Sequence, residues 1–296
     1  MASSSAKKST NVRLLRSFFT ASERVAPALA ARVAARMWFT LPPEARGARI
    51  PEGGAQFQVA SQGAVVRGQV WGHGPVVYLV HGWGGRGSQL AGFVEPLVRR
   101  GHQVVLFDAP SHGDSDPGPS GPRSGNGVEF GKALDAVGAR FGPARALVAH
   151  SMGAVSSLLT LKYGWLATER LVLLAPMSRY VTQFDAFAGF LGIGPRTRRR
   201  VDAHVARRVG VPVEEFDVAV LAEQVGPIPT LVVHDRTDRQ TSYVESAELV
   251  RGLPEASMIT THGLGHQRLL RDPQVIDAVS WFVDGSELTS RLSATA

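Results

Sequence analysis

Ser151 lies where a strand-like run changes abruptly into a helix-like one. Residues 144–148 are mostly apolar, residues 155–161 have helical character, and Ala-His-Ser-Met-Gly stands between them at 149–153. A tight strand-to-helix turn needs small residues two positions before and two positions after the serine, because the two backbones nearly touch there. The pattern predicts a nucleophile elbow that exposes the Ser151 hydroxyl. These five residues also suit an ordinary turn, so the choice between a nucleophile elbow and an ordinary turn depends on the rest of the chain.

The acid and the base that such a serine needs are sought after later strands. Asp235 and Asp238 follow the strand-like run 230–234, and Asp238 has the reach to turn back over the edge of a sheet. We predict Asp238 as the acid, with Asp235 as the alternative. His262 ends the next strand, whereas His266 comes after two glycines that leave room for a loop. We therefore predict His266 as the base.

A glycine-rich loop follows the buried strand 77–80. In this loop, His-Gly-Trp-Gly-Gly at 81–85, backbone N–H groups are free to face a pocket, so Trp83 and Met152 are predicted to bind an oxyanion through their N–H groups. His81 is predicted to be a hydrogen-bonding strut. The chain has neither G-x-x-x-x-G-K-[ST] nor G-x-G-x-x-G, which argues against a nucleotide-binding loop.

The turn that closes the strand 103–108 carries Asp108, His112 and Asp114. These residues could suggest a metal site, but such dense packing in one turn is more typical of backbone capping. We predict a structural role for them and no bound metal or cofactor. The chain contains no cysteine, which excludes disulfides, cysteine nucleophiles and thiolate metal sites.

The net charge of +7 is concentrated near the N-terminus. Residues 1–50 carry nine Lys or Arg and two acids, and residues 51–296 carry 23 of each sign. A body without net positive charge argues against nucleic-acid binding. The sequence shows neither a secretory signal nor an apolar run of membrane-spanning length, so a cytoplasmic location is predicted.

Residues 1–50 are predicted to form a basic tail and an amphipathic helix over 11–39, preceding a domain at 51–296. Thr20 and Glu23 have the spacing of a capping box, and a stripe of apolar residues recurs every four positions: Val25, Leu29, Val33 and Met37. Such a stripe favours a helix packed on its own domain with its arginines facing water. Weak contact with an anionic membrane, or a place in a cap, remains the alternative.

Strand-like and helix-like runs alternate after residue 55, which indicates an α/β protein with a mostly parallel sheet between helices. The predicted strands are 56–60, 64–71, 76–80, 103–108, 146–150, 170–174, 230–234 and 257–261. The predicted helices are near 88–100, 128–141, 152–163, 242–252 and 273–284. Residues 177–226 interrupt this alternation and read as two to four inserted helices.

The chain resembles the α/β-hydrolase superfamily over roughly residues 55–285. The resemblance rests on segments in family order: 81–85, Asp-x-Pro-x-His-Gly-x-Ser at 108–115, 149–153, Asp238, and Gly-His at 265–266. Ala149 and Asp235 depart from the glycines that are common there, and residues 1–50 have no counterpart. The resemblance implies an α/β-hydrolase fold with a short helical cap at 177–226 and an extra N-terminal helix.

The resemblance also implies a serine hydrolase that cleaves carboxylic esters of small to medium apolar molecules through an acyl-enzyme. Substrate contact is expected from Trp83 and from phenylalanines of the insertion, namely Phe184, Phe187 and Phe190. Thioesterase, carbon–carbon hydrolase, perhydrolase and acyltransferase activities use the same triad and stay open. A non-catalytic binding protein on this fold is the alternative from another class.

Overall fold

A computed structural model describes residues 2–43 and 47–285, with side chains from residue 11 onward. Within these residues eight strands form one sheet in the order β1-β2-β4-β3-β5-β6-β7-β8. The strands are β1 (Ala55–Ser61), β2 (Ala64–Trp71), β3 (Val76–Val80), β4 (Gln103–Phe107), β5 (Ala144–His150), β6 (Leu171–Leu174), β7 (Thr230–Asp235) and β8 (Ala256–Thr261). The pairs β1–β2 and β2–β4 are antiparallel and all the others are parallel. The predicted α/β-hydrolase fold is confirmed.

The described residues also contain eleven α-helices and three short 3₁₀ helices. The α-helices are α1 (Ala2–Val25), α2 (Pro27–Phe39), α3 (Val94–Arg99), α4 (Gly127–Phe141), α5 (Met152–Lys162), α6 (Tyr180–Leu191), α7 (Pro195–Val209), α8 (Val218–Val225), α9 (Tyr243–Gly252), α10 (Gly265–Arg268) and α11 (Pro273–Asp284). None of the helices in the described part of the chain combines the length and the apolar character needed to cross a bilayer.

The central parallel strands are buried along their whole length. Every residue of β3, β6 and β7 is buried, and these strands consist mainly of Val and Leu. Helices on both faces of a parallel sheet produce continuous apolar runs of this kind, whereas a half-exposed strand would alternate. The carboxyl ends of the parallel strands lie along one edge, and loops that follow them meet there.

The chain divides into two compact units. The sheet unit comprises Leu41–Ser178 and Asp217–Ala296, and the helical unit comprises Met1–Thr40 and Arg179–Phe216. The inserted region between β6 and β7 therefore contributes to both. Its first helices, α6 and α7, belong to the helical unit with α1 and α2, whereas α8 packs against α5 in the sheet unit.

Pro27 divides the helical N-terminal segment in two. Ala26 has φ −148° and ψ 52°, outside the helical region, and Pro27 is the first residue of α2. Proline has no N–H to donate and disfavours helical geometry in the residue before it. The structure therefore has two helices where the sequence predicted one. The first begins at Ala2, so it includes residues that we expected to form a polar tail.

The apolar stripe predicted on the N-terminal helices does not form their buried face. Val25 is 84% exposed and Leu29 is 53% exposed. The buried side of α2 is instead mostly alanine: Ala30, Ala31, Ala34, Ala35 and Phe39. Small side chains let two helix backbones approach closely, and α2 packs along α7 within the helical unit. The predicted buried face is therefore wrong, and packing of these helices on the domain that follows stays a prediction.

The predicted capping box at Thr20 and Glu23 is also wrong. Both residues lie inside α1, and Glu23 accepts hydrogen bonds from the backbone N–H groups of Arg196 (2.6 Å) and Thr197 (3.1 Å). Glu23 thereby caps the first turn of α7, whose own N-cap residue, Gly194, has no side chain to do so. A Cβ at Gly194 would lie 2.4 Å from Glu23 Cδ, so the carboxylate occupies the space of a local cap.

Candidate active site

Ser151 stands at a strained turn between β5 and α5. Its backbone has φ 54° and ψ −119°, a region that L-residues rarely adopt. The turn is tight because α5 starts against the end of β3: a Cβ at Gly153 would lie 2.6 Å from the carbonyl oxygen of His81. On the other side, a Cβ at Gly82 would lie 2.9 Å from Ser151 Cβ. The observed backbone is that of the predicted nucleophile elbow.

Asp238 and His266 are brought together after β7 and β8. His266 Nδ1 and Asp238 Oδ2 are 2.7 Å apart, and both side chains are almost fully buried. The other carboxylate oxygen, Oδ1, accepts the backbone N–H groups of Gln240 (2.7 Å) and Thr241 (3.2 Å). These hydrogen bonds hold the carboxylate in one orientation toward the imidazole.

The surroundings of Asp238 keep it ionised. Burial raises its pKa, but hydrogen bonds from His234, His266 and the N–H of Gln240 outweigh burial and hold the pKa well below its usual range. An ionised Asp238 can only accept, so His266 Nδ1 carries the proton and Nε2 presents a lone pair. This is the tautomer that a general base requires.

His150 links the elbow to His266. The His150 Nε2 donates to the backbone carbonyl of His266 at 3.0 Å, and the two rings lie 4.6 Å apart between centroids. Because His150 immediately precedes Ser151, this bond places the elbow beside the His266 loop. Among the described residues no hydrogen bond joins Ser151 Oγ to His266 Nε2, and such bonds are often long before substrate binds.

Asp235 makes different contacts from Asp238. Its carboxylate accepts from the Thr237 hydroxyl, the Thr261 hydroxyl (2.7 Å) and the Leu264 N–H (2.9 Å). Burial raises its pKa, but these donors together hold it well below the usual range. Asp235 therefore ties the end of β7 to the loop that carries His266, and among the described residues it has no contact with an imidazole.

Two backbone N–H groups are available near Ser151. The N–H of Met152 is at the first turn of α5, where no helical acceptor exists, and that of Trp83 is in the loop after β3. Neither bonds to an acceptor within the described residues. Gly82 approaches the elbow so closely that a Cβ on it would lie 2.9 Å from Ser151 Cβ, and Trp83 is the next residue of the chain. The binding of an oxyanion by these two N–H groups stays a prediction.

Two buried histidines fix the loop that carries Trp83. His81 Nε2 accepts the N–H of Ala109 at 3.0 Å, and His112 Nε2 accepts that of Gly84 at 3.1 Å. Burial lowers the pKa of His81 to about 4 and that of His112 to about 3, so both stay neutral. The predicted role of His81 as a strut is confirmed, and so is the structural role of the 108–114 turn.

His234 and Thr241 also belong to the site, although the sequence analysis did not single them out. Thr241 Oγ1 lies 3.1 Å from Asp238 Oδ2 and 3.3 Å from His266 Nδ1. The His234 Nε2 lies 3.4 Å from Asp238 Oδ2, and its Nδ1 lies 2.7 Å from the Ser246 hydroxyl. A polar histidine closing an otherwise apolar buried strand was the available signal for His234. Thr241 left none.

The three phenylalanines predicted to contact substrate all lie on α6, in the helical unit. Phe184 is fully buried, with its ring 5.0 Å from that of Trp38 and 5.5 Å from that of Phe187. Phe190 is 58% exposed. Their role in substrate binding stays a prediction. The described residues include no group of three His, Asp or Glu side chains arranged to hold a metal ion.

Comparisons with known proteins agree with this fold. A family model described as the alpha/beta hydrolase family matches residues 77–279. An esterase from Pyrococcus furiosus is 16% identical with a TM-score of 0.63, the match covering 84% of this chain and 98% of that one. A thioesterase domain from the curacin biosynthetic pathway is 16% identical, with a TM-score of 0.57 and coverage of 78% and 99%.

A bromoperoxidase from Bacillus anthracis is 18% identical, with a TM-score of 0.58 and coverage of 78% and 99%. At such identities these likenesses show the fold alone. The comparison with curated proteins gives no match.

Proposed function

The chain belongs to the alpha/beta hydrolase family, and from that premise we propose that it is a serine hydrolase of carboxylic esters. The observation that carries the proposal is the hydrogen bond of 2.7 Å between Asp238 and His266, at the loop that His150 holds beside the strained Ser151. A buried carboxylate and imidazole next to an exposed nucleophile are what acyl transfer to serine requires.

In the proposed mechanism Ser151 Oγ attacks the ester carbonyl while His266 Nε2 takes the hydroxyl proton. Asp238 keeps the imidazole in the required tautomer and stabilises the imidazolium that forms. His266 then delivers the proton to the departing alcohol, leaving an acyl group on Ser151. Water, deprotonated by His266, hydrolyses this ester and restores the serine.

The N–H groups of Trp83 and Met152 are proposed to stabilise the negative oxygen of the tetrahedral intermediate. Removing one such donor typically lowers the rate by about 100- to 1000-fold. Both donors belong to backbone, so the geometry of the loop at 81–85 sets their position. The neutral struts His81 and His112 hold that loop without adding charge beside the oxyanion.

We propose that apolar side chains limit the size of the acyl and alcohol groups that a substrate can have. Trp83 is half-buried beside the elbow and is the first candidate for substrate contact. The assignment of Phe184, Phe187 and Phe190 to the same role is carried over from the sequence. A thioester is a second substrate class for this triad, because a thiolate leaves after the same attack.

Hydrolysis of p-nitrophenyl esters from acetate to palmitate tests the proposal. We expect turnover by the wild type and a loss of about 1000-fold or more in Ser151→Ala. Ser157→Ala is the matched control, because this buried hydroxyl lies in α5, the helix that follows Ser151, and has no hydrogen-bond partner among the described residues. An acyl-N-acetylcysteamine series run in parallel distinguishes thioester from ester preference.

Labelling with a fluorophosphonate probe complements the kinetic assay. We expect the wild type and Ser157→Ala to be labelled and Ser151→Ala to remain unlabelled. If the wild type neither turned over any ester or thioester nor took the label, the proposal would be wrong, and a binding protein on this fold would replace it.

A further inference from the structure

The helical unit holds the positive charge of the protein. Its residues, Met1–Thr40 and Arg179–Phe216, include fourteen Lys or Arg and five Asp or Glu, a net charge of +9. The sheet unit has 18 basic and 20 acidic residues, a net charge of −2. Along the sequence the net positive charge is concentrated near the N-terminus, and the fold joins that segment to the arginine-rich helix α7.

Within the helical unit, α2 and α7 run side by side in the same direction. Glu23, just before α2, caps the start of α7, and the Arg208 guanidinium near the end of α7 lies 4.5 Å from the ring centroid of Phe39 at the end of α2. The buried sides of the two helices face each other and the unit's interior. Their remaining sides are open to water.

Five exposed arginines lie on these open sides. On α2, Arg32 and Arg36 fall within about 60° of Leu29 around the helix axis, and on α7 the three arginines fall within about 40° of one another. Arg207 lies 2.9 Å from His204 Nδ1 on α7. Partial burial lowers the pKa of His204, and the charges of Arg207 and Arg32 lower it further, so Arg32 of α2 lies near the α7 row at His204. We call this surface the arginine face: Arg32, Arg36, Arg196, Arg200 and Arg207, with the exposed Val25 and Leu29.

Among the described residues no carboxylate lies within ion-pair distance of the five arginines of this face, and only Arg196 is near enough to a carboxylate, that of Glu23, for its charge to lower the pKa. Arg198, on the neighbouring side of α7, pairs with Asp185 and Asp202. Arg32 and Arg36, like Arg196 and Arg200, are like charges four residues apart, a spacing that destabilises a helix. An anionic surface would relieve this repulsion.

We propose that the arginine face binds an anionic lipid bilayer. Arginines beside exposed aliphatic side chains match the interface of such a bilayer, where the guanidinium groups meet phosphates and the apolar side chains enter the acyl boundary. The phosphates of a nucleic acid could also pair with these arginines, but its backbone has no apolar surface to contact Val25 and Leu29. The arginine face also has no aromatic side chain on which bases could stack.

Vesicle co-sedimentation of the full chain tests the proposal. We expect binding to vesicles of phosphatidylcholine with phosphatidylglycerol, little binding to phosphatidylcholine alone, and release in high salt. In Arg32→Gln/Arg207→Gln, affinity should fall about 25-fold, since each arginine contributes about fivefold. Leu29→Ser should weaken binding about tenfold through the lost apolar contact, without changing the charge.

Arg251→Gln/Arg271→Gln is the matched control, because it removes the same charge from exposed positions of the sheet unit. An equal loss in this control would show that net charge, and not the arginine face, governs binding, and would overturn the proposal. So would wild-type binding to neither kind of vesicle, or binding to a 20-base-pair DNA duplex in preference to anionic vesicles. None of these readouts depends on ester hydrolysis.

Discussion

At the scale of single residues, the different hydrogen-bond donors around Asp235 and Asp238 determine what each aspartate does. The side chains of Asp235 and Asp238 are both buried, and both carboxyls have depressed pKa values. Asp238 is held by an imidazole and by backbone N–H groups, whereas Asp235 is held by hydroxyls and the Leu264 N–H. Their chemistry is identical, so only the partners separate a residue that orients His266 from one that shapes its loop.

Replacing each aspartate in turn should separate these tasks. Asp238→Asn is expected to lower kcat by about 10⁴-fold for any p-nitrophenyl ester that the wild type hydrolyses, because an amide can favour the wrong tautomer of His266. Asp235→Asn should retain most of the rate but lose about 1–3 kcal/mol of unfolding free energy, as buried donors lose their charged acceptor. Steady-state kinetics on both variants measures kcat, and urea unfolding measures the free energy of unfolding. An inactive Asp235→Asn beside an active Asp238→Asn would reverse the assignment.

At the scale of elements, α7 is capped by a residue from another helix. Partial burial opposes ionisation of Glu23, but the nearby Thr197 side chain, the backbone N–H groups of Arg196 and Thr197 and the positive charge of Arg196 lower its pKa. A carboxylate at a helix N-terminus also interacts favourably with the helix dipole. Glu23 therefore connects α1 to α7 across more than 170 residues of sequence.

Glu23→Ala should loosen the first turn of α7. Loss of an N-cap acceptor costs about 1 kcal/mol, so hydrogen exchange at the amides of Arg196 and Thr197 should accelerate several-fold. Glu214→Ala removes the same charge from an exposed position of the helical unit and should leave these amides unchanged. If exchange in α7 were the same in both variants, the capping role of Glu23 would be wrong.

At the scale of the whole molecule, buried neutral histidines make the fold sensitive to acid. Burial lowers the pKa of His81 to about 4 and the pKa of both His112 and His150 to about 3, from 6.5. Below pH 6.5 the unfolded chain binds protons that the folded chain does not, so stability falls as the pH drops. The loss continues until the pH reaches the folded pKa values.

Urea unfolding at pH 7, 6 and 5 should reveal this loss. Each of the three histidines should remove about 2 kcal/mol between pH 7 and pH 5, roughly 6 kcal/mol together. Few carboxylates titrate between pH 7 and pH 5, so the fall in the free energy of unfolding over this range comes mainly from histidine. A free energy of unfolding that stayed constant from pH 7 to pH 5 would contradict the neutral assignment of these rings.

The sequence by itself determined the sheet, the order of its strands along the chain and the candidate catalytic residues. Apolar runs of strand length and their alternation with helical periods are local properties, so the strand bounds were predicted to within one or two residues. The elbow at Ser151 is also local, because its small flanking residues act within five positions. For the same reason the loops after β7 and β8 could be recognised one by one.

Only the tertiary structure decided what depends on contacts between distant segments. The pairing of Asp238 with His266, the places of His234 and Thr241 beside them and the cap that Glu23 provides all join residues that sequence spacing does not relate. The same holds for α2, where the helical period reveals a stripe but not which side is covered. Packing against α7 buried the alanines of α2 and left Leu29 exposed, because close approach of two helices favours the smallest side chains.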